Sequence, residues 1–164
     1  MAGLPSEAAG PAFLSILLIA ACIIAWRRRN LPAPQSIVPV AALALALQAL
    51  HAAEEFGTGF HLRVPPLVGL DPWSDTFFVG FNLAAIAIWC VALGAAAHGR
   101  LTPLTLAPLW FLALACVGNG VWHPLLALLT AGYFPGLVTS LAMAFVGPAF
   151  VRRLLTSEPA ATPS

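Results

Sequence analysis

The chain has 164 residues, of which 60% are hydrophobic and 8% charged, with a mean hydropathy of +0.93. Soluble domains carry about a quarter of their residues as charges, so an ordinary water-soluble domain is excluded and a chain solvated by lipid is indicated. A formal charge of +1 offers no basic face to neutralise phosphates, which argues against nucleic acid as a partner.

Crossing a hydrocarbon core takes about 20 apolar residues in helical form, and five segments qualify: about 8–26, 36–56, 75–97, 104–130 and 135–150. The first stops at Arg27, Arg28 and Arg29. Its leading flank holds Glu7 and no base, so it reads as a retained span and not as a leader peptide. Pro32 and Pro34 separate it from the second. The stretch 57–74, broken by Pro65, Pro66 and Asp71-Pro72, reads as a solvated loop with Arg63 beside an acidic partner, in preference to an interfacial lid anchored by Trp73. His98-Gly99-Arg100 and Tyr133-Phe134-Pro135-Gly136 divide the later spans, and Arg152 and Arg153 end the last. Placing the first arginine cluster in the cytoplasm puts six of the seven arginines on that side, with the N-terminus out and the C-terminus in.

These segments predict an all-α integral membrane bundle of five transmembrane helices, multi-pass in the cell membrane. It forms one domain over 1–156, followed by a disordered tail over 157–164 that is rich in Pro, Ala and Thr. The basic residues are all arginine, a weak hint of a GC-rich bacterial genome. Cys22, Cys90 and Cys116 lie in apolar runs without a CxxC pair and read as small core hydrophobes.

Ionisable and amide groups inside a span are costly, which makes them candidates for function. The second span carries Gln48, His51, Glu54 and Glu55; the third carries Asp75 at its mouth and Asn82; the fourth carries Asn119 and His123. A rise of about 1.5 Å per residue delivers them all to the outer half of the bundle. At about 100° per residue, Gln48, His51 and Glu55 share a face with Glu54 at its flank, and Asn119 and His123 share another. The simplest packing turns these stripes toward one polar pocket. Pro124, with Gly118 and Gly120 nearby, weakens the helix at that level.

Three chemistries fit such a pocket. In the first, an acid–base enzyme acts on a small lipid- or isoprenoid-like molecule: His51 and Glu55 transfer protons beside His123, Glu54 is a second acid or cation stabiliser, and Asn119 orients. Trp122, Trp89 and Phe78 are its candidate lining. In the second, His51, Glu55 and His123 ligate zinc or iron, with Glu54 or Asp75 completing the shell; each contributing helix brings a single histidine, and there is no HExxH. In the third, the groups form a non-enzymatic polar knot, a ligand site or a proton relay. No phosphate-binding glycine loop, GxSxG elbow or nucleotide motif is present.

His51-Ala52-Ala53-Glu54-Glu55 is a literal HxxEE string. Together with Asn119 to His123 and the Tyr133-Phe134-Pro135-Gly136 turn, it makes the stretch of about 40–141 resemble the HXXEE-motif family of small bacterial integral membrane proteins. That resemblance implies a multi-pass membrane protein with a suspected enzymatic activity and no established reaction. His51 and Glu55, four apart on the second span, also resemble the His and Glu pair of the five-span emopamil-binding sterol isomerase family.

Overall fold

The computed structural model describes residues 6–27 and 33–156, the side chains of 6–14 and 34 excepted. Arg28, Arg29 and the expected tail over 157–164 lie outside the described residues. The described residues are all-helical: α1 (Ser6–Arg27), α2 (Pro34–Gly57), α3 (Phe60–Leu67), α4 (Asp75–Ala97), α5 (Pro103–Leu129) and α6 (Leu137–Thr156). Among them α2, α4, α5 and α6 are long and apolar enough to cross a membrane.

Local chemistry explains where these helices start. Pro34 and Pro103 open α2 and α5 in the first turn, where a missing N–H costs nothing. Thr102 caps α5 reciprocally with Thr105, and Ser74 caps α4 by accepting the Phe77 N–H, with Asp75 in that helix's first turn. The last helix runs on to Thr156, past the expected stop near 150, because an arginine limits the apolar run without disfavouring the helix.

Residues 60–67 differ from the expected loop. They form a helix despite Pro65 and Pro66. Pro65 lacks the N–H that would bond the His61 carbonyl, and that carbonyl instead accepts the Trp73 N–H at 3.0 Å. The prolines therefore shape the end of α3 and do not prevent it. Arg63 stands over the Phe134 ring, 4.9 Å from its centroid, and among the described residues no carboxylate pairs with it, contrary to expectation. A second correction concerns the cysteines: Cys116 is buried, while Cys22 and Cys90 are exposed on the bundle's outside.

The central helix is α5, which packs against α1, α2, α4 and α6. Its seam with α6 is a backbone contact: a Cβ on Gly120 would lie 2.6 Å from the Ala144 backbone, and one on Gly147 would lie 2.7 Å from the Val117 nitrogen. Small residues let helices approach this closely in lipid, where apolar burial alone supplies little drive. The C-terminal ends of α2 and α5 meet the start of α6 at one end of the bundle, with α3 beside them.

Candidate metal centre

His51 and Glu55 stand four residues apart on α2 and project from one face of its last two turns. His123 reaches the same place from the last turns of α5. The two Nε2 atoms are 3.1 Å apart. Glu55 Oε1 lies 3.4 Å from that of His51 and 3.3 Å from that of His123. All three side chains are buried, the imidazoles at 0% and 1% exposure, and the rings meet edge to face with centroids 4.6 Å apart.

Each imidazole is held by its other nitrogen. His123 Nδ1 lies 2.6 Å from the Pro135 carbonyl; a carbonyl only accepts, so Nδ1 carries the hydrogen and Nε2 of the neutral ring presents a lone pair to the cluster. His51 Nδ1 lies 2.7 Å from the Thr139 hydroxyl. Pro135 belongs to the turn into α6, and Thr139 to the first turn of that helix. Gly136 closes that turn at φ +86°, and a Cβ there would lie 2.5 Å from His123 Cε1 and 2.8 Å from His51 Cε1. Glycine alone lets this backbone lie against both rings.

Glu54 faces away from the cluster. Its Oε1 accepts the Tyr133 hydroxyl at 2.8 Å and the Val138 N–H at 2.9 Å. Its Oε2 accepts the Thr139 N–H at 2.8 Å and the Thr139 hydroxyl at 2.6 Å. A carboxylate at a helix N-terminus satisfies donors that α6 cannot satisfy internally, so Glu54 ties α2 to α6. Tyr133 lies between α5 and α6, outside the membrane-length helices; burial, and then the Glu54 carboxylate accepting its hydrogen bond, raise its phenol above the ordinary value.

The other polar candidates separate from the cluster. Asn119 donates to Gln48 Oε1 at 3.4 Å, one turn from the histidines. Asn82 bonds the Phe78 carbonyl of its own helix, and Asp75 accepts from His61 Nε2 at 2.8 Å. Of the aromatic candidates, Trp122 is half exposed and Trp89 packs in the apolar core. Phe78 joins Phe56, Phe60 and His61 in an aromatic cover, and Phe60 of α3 brings that cover within 5.3 Å of the His123 ring. Sequence reasoning missed Thr139, the Pro135 carbonyl and the reason for Gly136. The Tyr133-to-Gly136 turn was their only signal.

The donor set fits a metal. Tetrahedral zinc with bonds of about 2.0–2.1 Å has neighbouring ligand atoms about 3.3–3.4 Å apart, and the three contacts measure 3.1, 3.3 and 3.4 Å. Two imidazoles and one carboxylate suit zinc or iron(II) and leave at least one position free, as at catalytic centres. Hydrogen-bonded outer nitrogens are what orients ligating histidines elsewhere.

Fold and site together define a helical protein with membrane-length helices around a buried cluster of two histidines and one carboxylate. The family model described as a protein of unknown function with HXXEE motif matches residues 42–150, and the chain belongs to that family. No curated protein and no solved structure matches it, so the likeness to sterol isomerases gains no support.

Proposed function

We propose that this is a multi-pass protein of the cell membrane in which His51, Glu55 and His123 hold one zinc or iron(II) ion, forming an enzyme that acts on a small hydrophobic molecule taken from the bilayer. The observation that carries this reading is the near-equilateral spacing of the three ligand atoms. A metal-free acid–base site would use the same residues, but a single proton leaves at least one of the three contacts as lone pair against lone pair. A cation satisfies all three. Once bound, such an ion polarises a substrate oxygen or acidifies a bound water. The chain's own part is to aim the two Nε2 atoms and to keep the site dry beneath Phe60, which packs on the His123 ring.

Five crossings, with the N-terminus outside and the C-terminus inside, complete the proposal. Arg27, Arg100, Arg152 and Arg153 belong to helix ends remote from the cluster, as the positive-inside bias requires when the cluster lies toward the outer face. Metal analysis of the detergent-purified chain tests the centre. About one zinc or iron per wild-type chain is expected, with its loss in His51→Ala and in His123→Ala. Wild-type protein that stays metal-free after expression and dialysis with either ion overturns the reading in favour of a polar knot. Mass spectrometry of copurifying lipids addresses the substrate: one hydrophobic species enriched over bulk lipid is expected.

A further inference from the structure

We infer that the two adjacent glutamates of the HxxEE string divide their roles: Glu55 faces the cluster, while Glu54 acts through the Thr139 hydroxyl to hold His51 in the tautomer whose Nε2 is a bare lone pair. This positioning role rests on the metal reading for its consequence, and on hydrogen-bond direction alone for its geometry.

Counting hydrogens shows why. Four donors converge on Glu54, two of them backbone N–H groups that cannot reverse. Such company is that of a carboxylate, which brings no hydrogen of its own. The hydrogen between Thr139 Oγ1 and Glu54 Oε2, at 2.6 Å, therefore belongs to the threonine. The hydroxyl's other neighbouring acceptor, the Gly136 carbonyl at 3.4 Å, would claim the same hydrogen. Either way none is left for His51. Across the 2.7 Å contact the Thr139 oxygen only accepts, so His51 Nδ1 donates. Were Nδ1 the acceptor instead, two oxygens 2.6 Å apart would face each other without a hydrogen.

The consequence falls on the cluster. With Nδ1–H fixed, the neutral ring turns an unprotonated Nε2 toward His123 Nε2 and Glu55. Without the relay, His51 is free to carry its hydrogen on Nε2, donate it to His123 or Glu55, and close the cluster as a hydrogen-bonded knot that competes with a metal. Glu54 and Thr139 are thus positioning residues that keep the site open to a cation, while Glu54 also fastens α6.

Thr139→Val removes the hydroxyl while leaving the backbone bonds to Glu54, and Thr139→Ser retains the hydroxyl. The full-length protein in detergent is titrated with Co²⁺ by visible absorption, and the metal-free, histidine-labelled protein is examined by nitrogen-15 NMR. Expected are a 10- to 100-fold loss of Co²⁺ affinity for the valine variant, on the order seen when other outer partners of ligating histidines are removed, with the serine variant staying close to wild type. In the spectra, His51 carries Nδ1–H in wild type and in Thr139→Ser, and shifts toward Nε2–H in Thr139→Val. A Glu54→Ala, Thr139→Val double variant is expected to bind Co²⁺ no worse than the weaker single variant, because both changes cut one relay. Unchanged affinity in Thr139→Val, additive losses in the double variant, or Nε2–H on His51 in wild type each overturn the relay. Wild-type protein that ignores Co²⁺ sinks the metal reading separately, and the tautomer measurement then decides the relay on its own.

Discussion

The two ends of the bundle hold together by different means. Away from the cluster, Ala25, Ala41, Ala44, Ala92 and Ala96 pack with Leu106, Leu109 and Phe150 in a buried apolar core, and partners recognise one another by volume. At the cluster end, α2, α5 and α6 are joined by directed bonds among His51, Glu54, Glu55, His123, Pro135 and Thr139, and partners recognise one another by which atom carries the hydrogen. Lipid tails are as apolar as the core, so the first end depends on close packing of small residues. In the second, exchanging one atom changes the chemistry while hardly changing the volume. Substitutions at the two ends should therefore separate in what they damage.

Gly136→Ala is expected to have the largest effect of all. Its Cβ would enter the space of both imidazoles, and φ +86° is a region that alanine adopts only at a cost of about 1–2 kcal/mol. Co²⁺ affinity should fall by about 100-fold or more, at the upper end for lost ligand orientation, while circular dichroism shows the helices retained. Gly147→Ala is its counterpart on the α5 and α6 seam. There the added methyl meets the Val117 backbone nitrogen at 2.7 Å, so overpacking should cost about 1–3 kcal/mol and lower the Tm, with Co²⁺ affinity held within a few-fold of wild type. If Gly147→Ala loses metal as completely as Gly136→Ala, the two ends are one mechanical unit and the comparison fails.

The cluster was legible in the sequence because ionisable groups are rare in apolar spans, and His51, Glu55 and His123 stand out against their neighbours at compatible depth and face. The helices were legible for a related reason: four of the five expected segments match helices long and apolar enough to cross a membrane, and the remaining one matches α1, whose apolar stretch among the described residues, Ser15–Arg27, falls short of that length. Composition does not record direction, however. Glu54 looked as reactive as Glu55, yet one step along a helix turns a side chain by about 100°, and that step points it at α6. Thr139 carries no signal, since a threonine in a span is ordinary. The Pro135 carbonyl belongs to the backbone, which every residue shares. Pro65 and Pro66 hid α3, because the rule that proline breaks helices says nothing about a distant donor such as the Trp73 N–H taking up the freed carbonyl.

The smallest expected effect tests whether the cluster end is bonded all the way to its rim. Tyr133 is half exposed and supplies one of the four donors on Glu54, sharing Oε1 with the Val138 N–H. Tyr133→Phe leaves both Thr139 donors in place, so the relay to His51 survives and Co²⁺ affinity should stay close to wild type, with a stability cost at neutral pH of about 0.5 kcal/mol. The pH dependence has a definite sign. Because the folded phenol is raised above its ordinary value, its contribution is fully present below the unfolded value of about 10 and is lost as pH rises through the folded one. Melting curves of the two proteins between neutral and strongly alkaline pH should therefore converge at the alkaline end, where a phenolate would face the Glu54 carboxylate. A difference that persists undiminished there would show that Tyr133 braces the turn through its ring and not through its hydroxyl, which would make the rim resemble the apolar end.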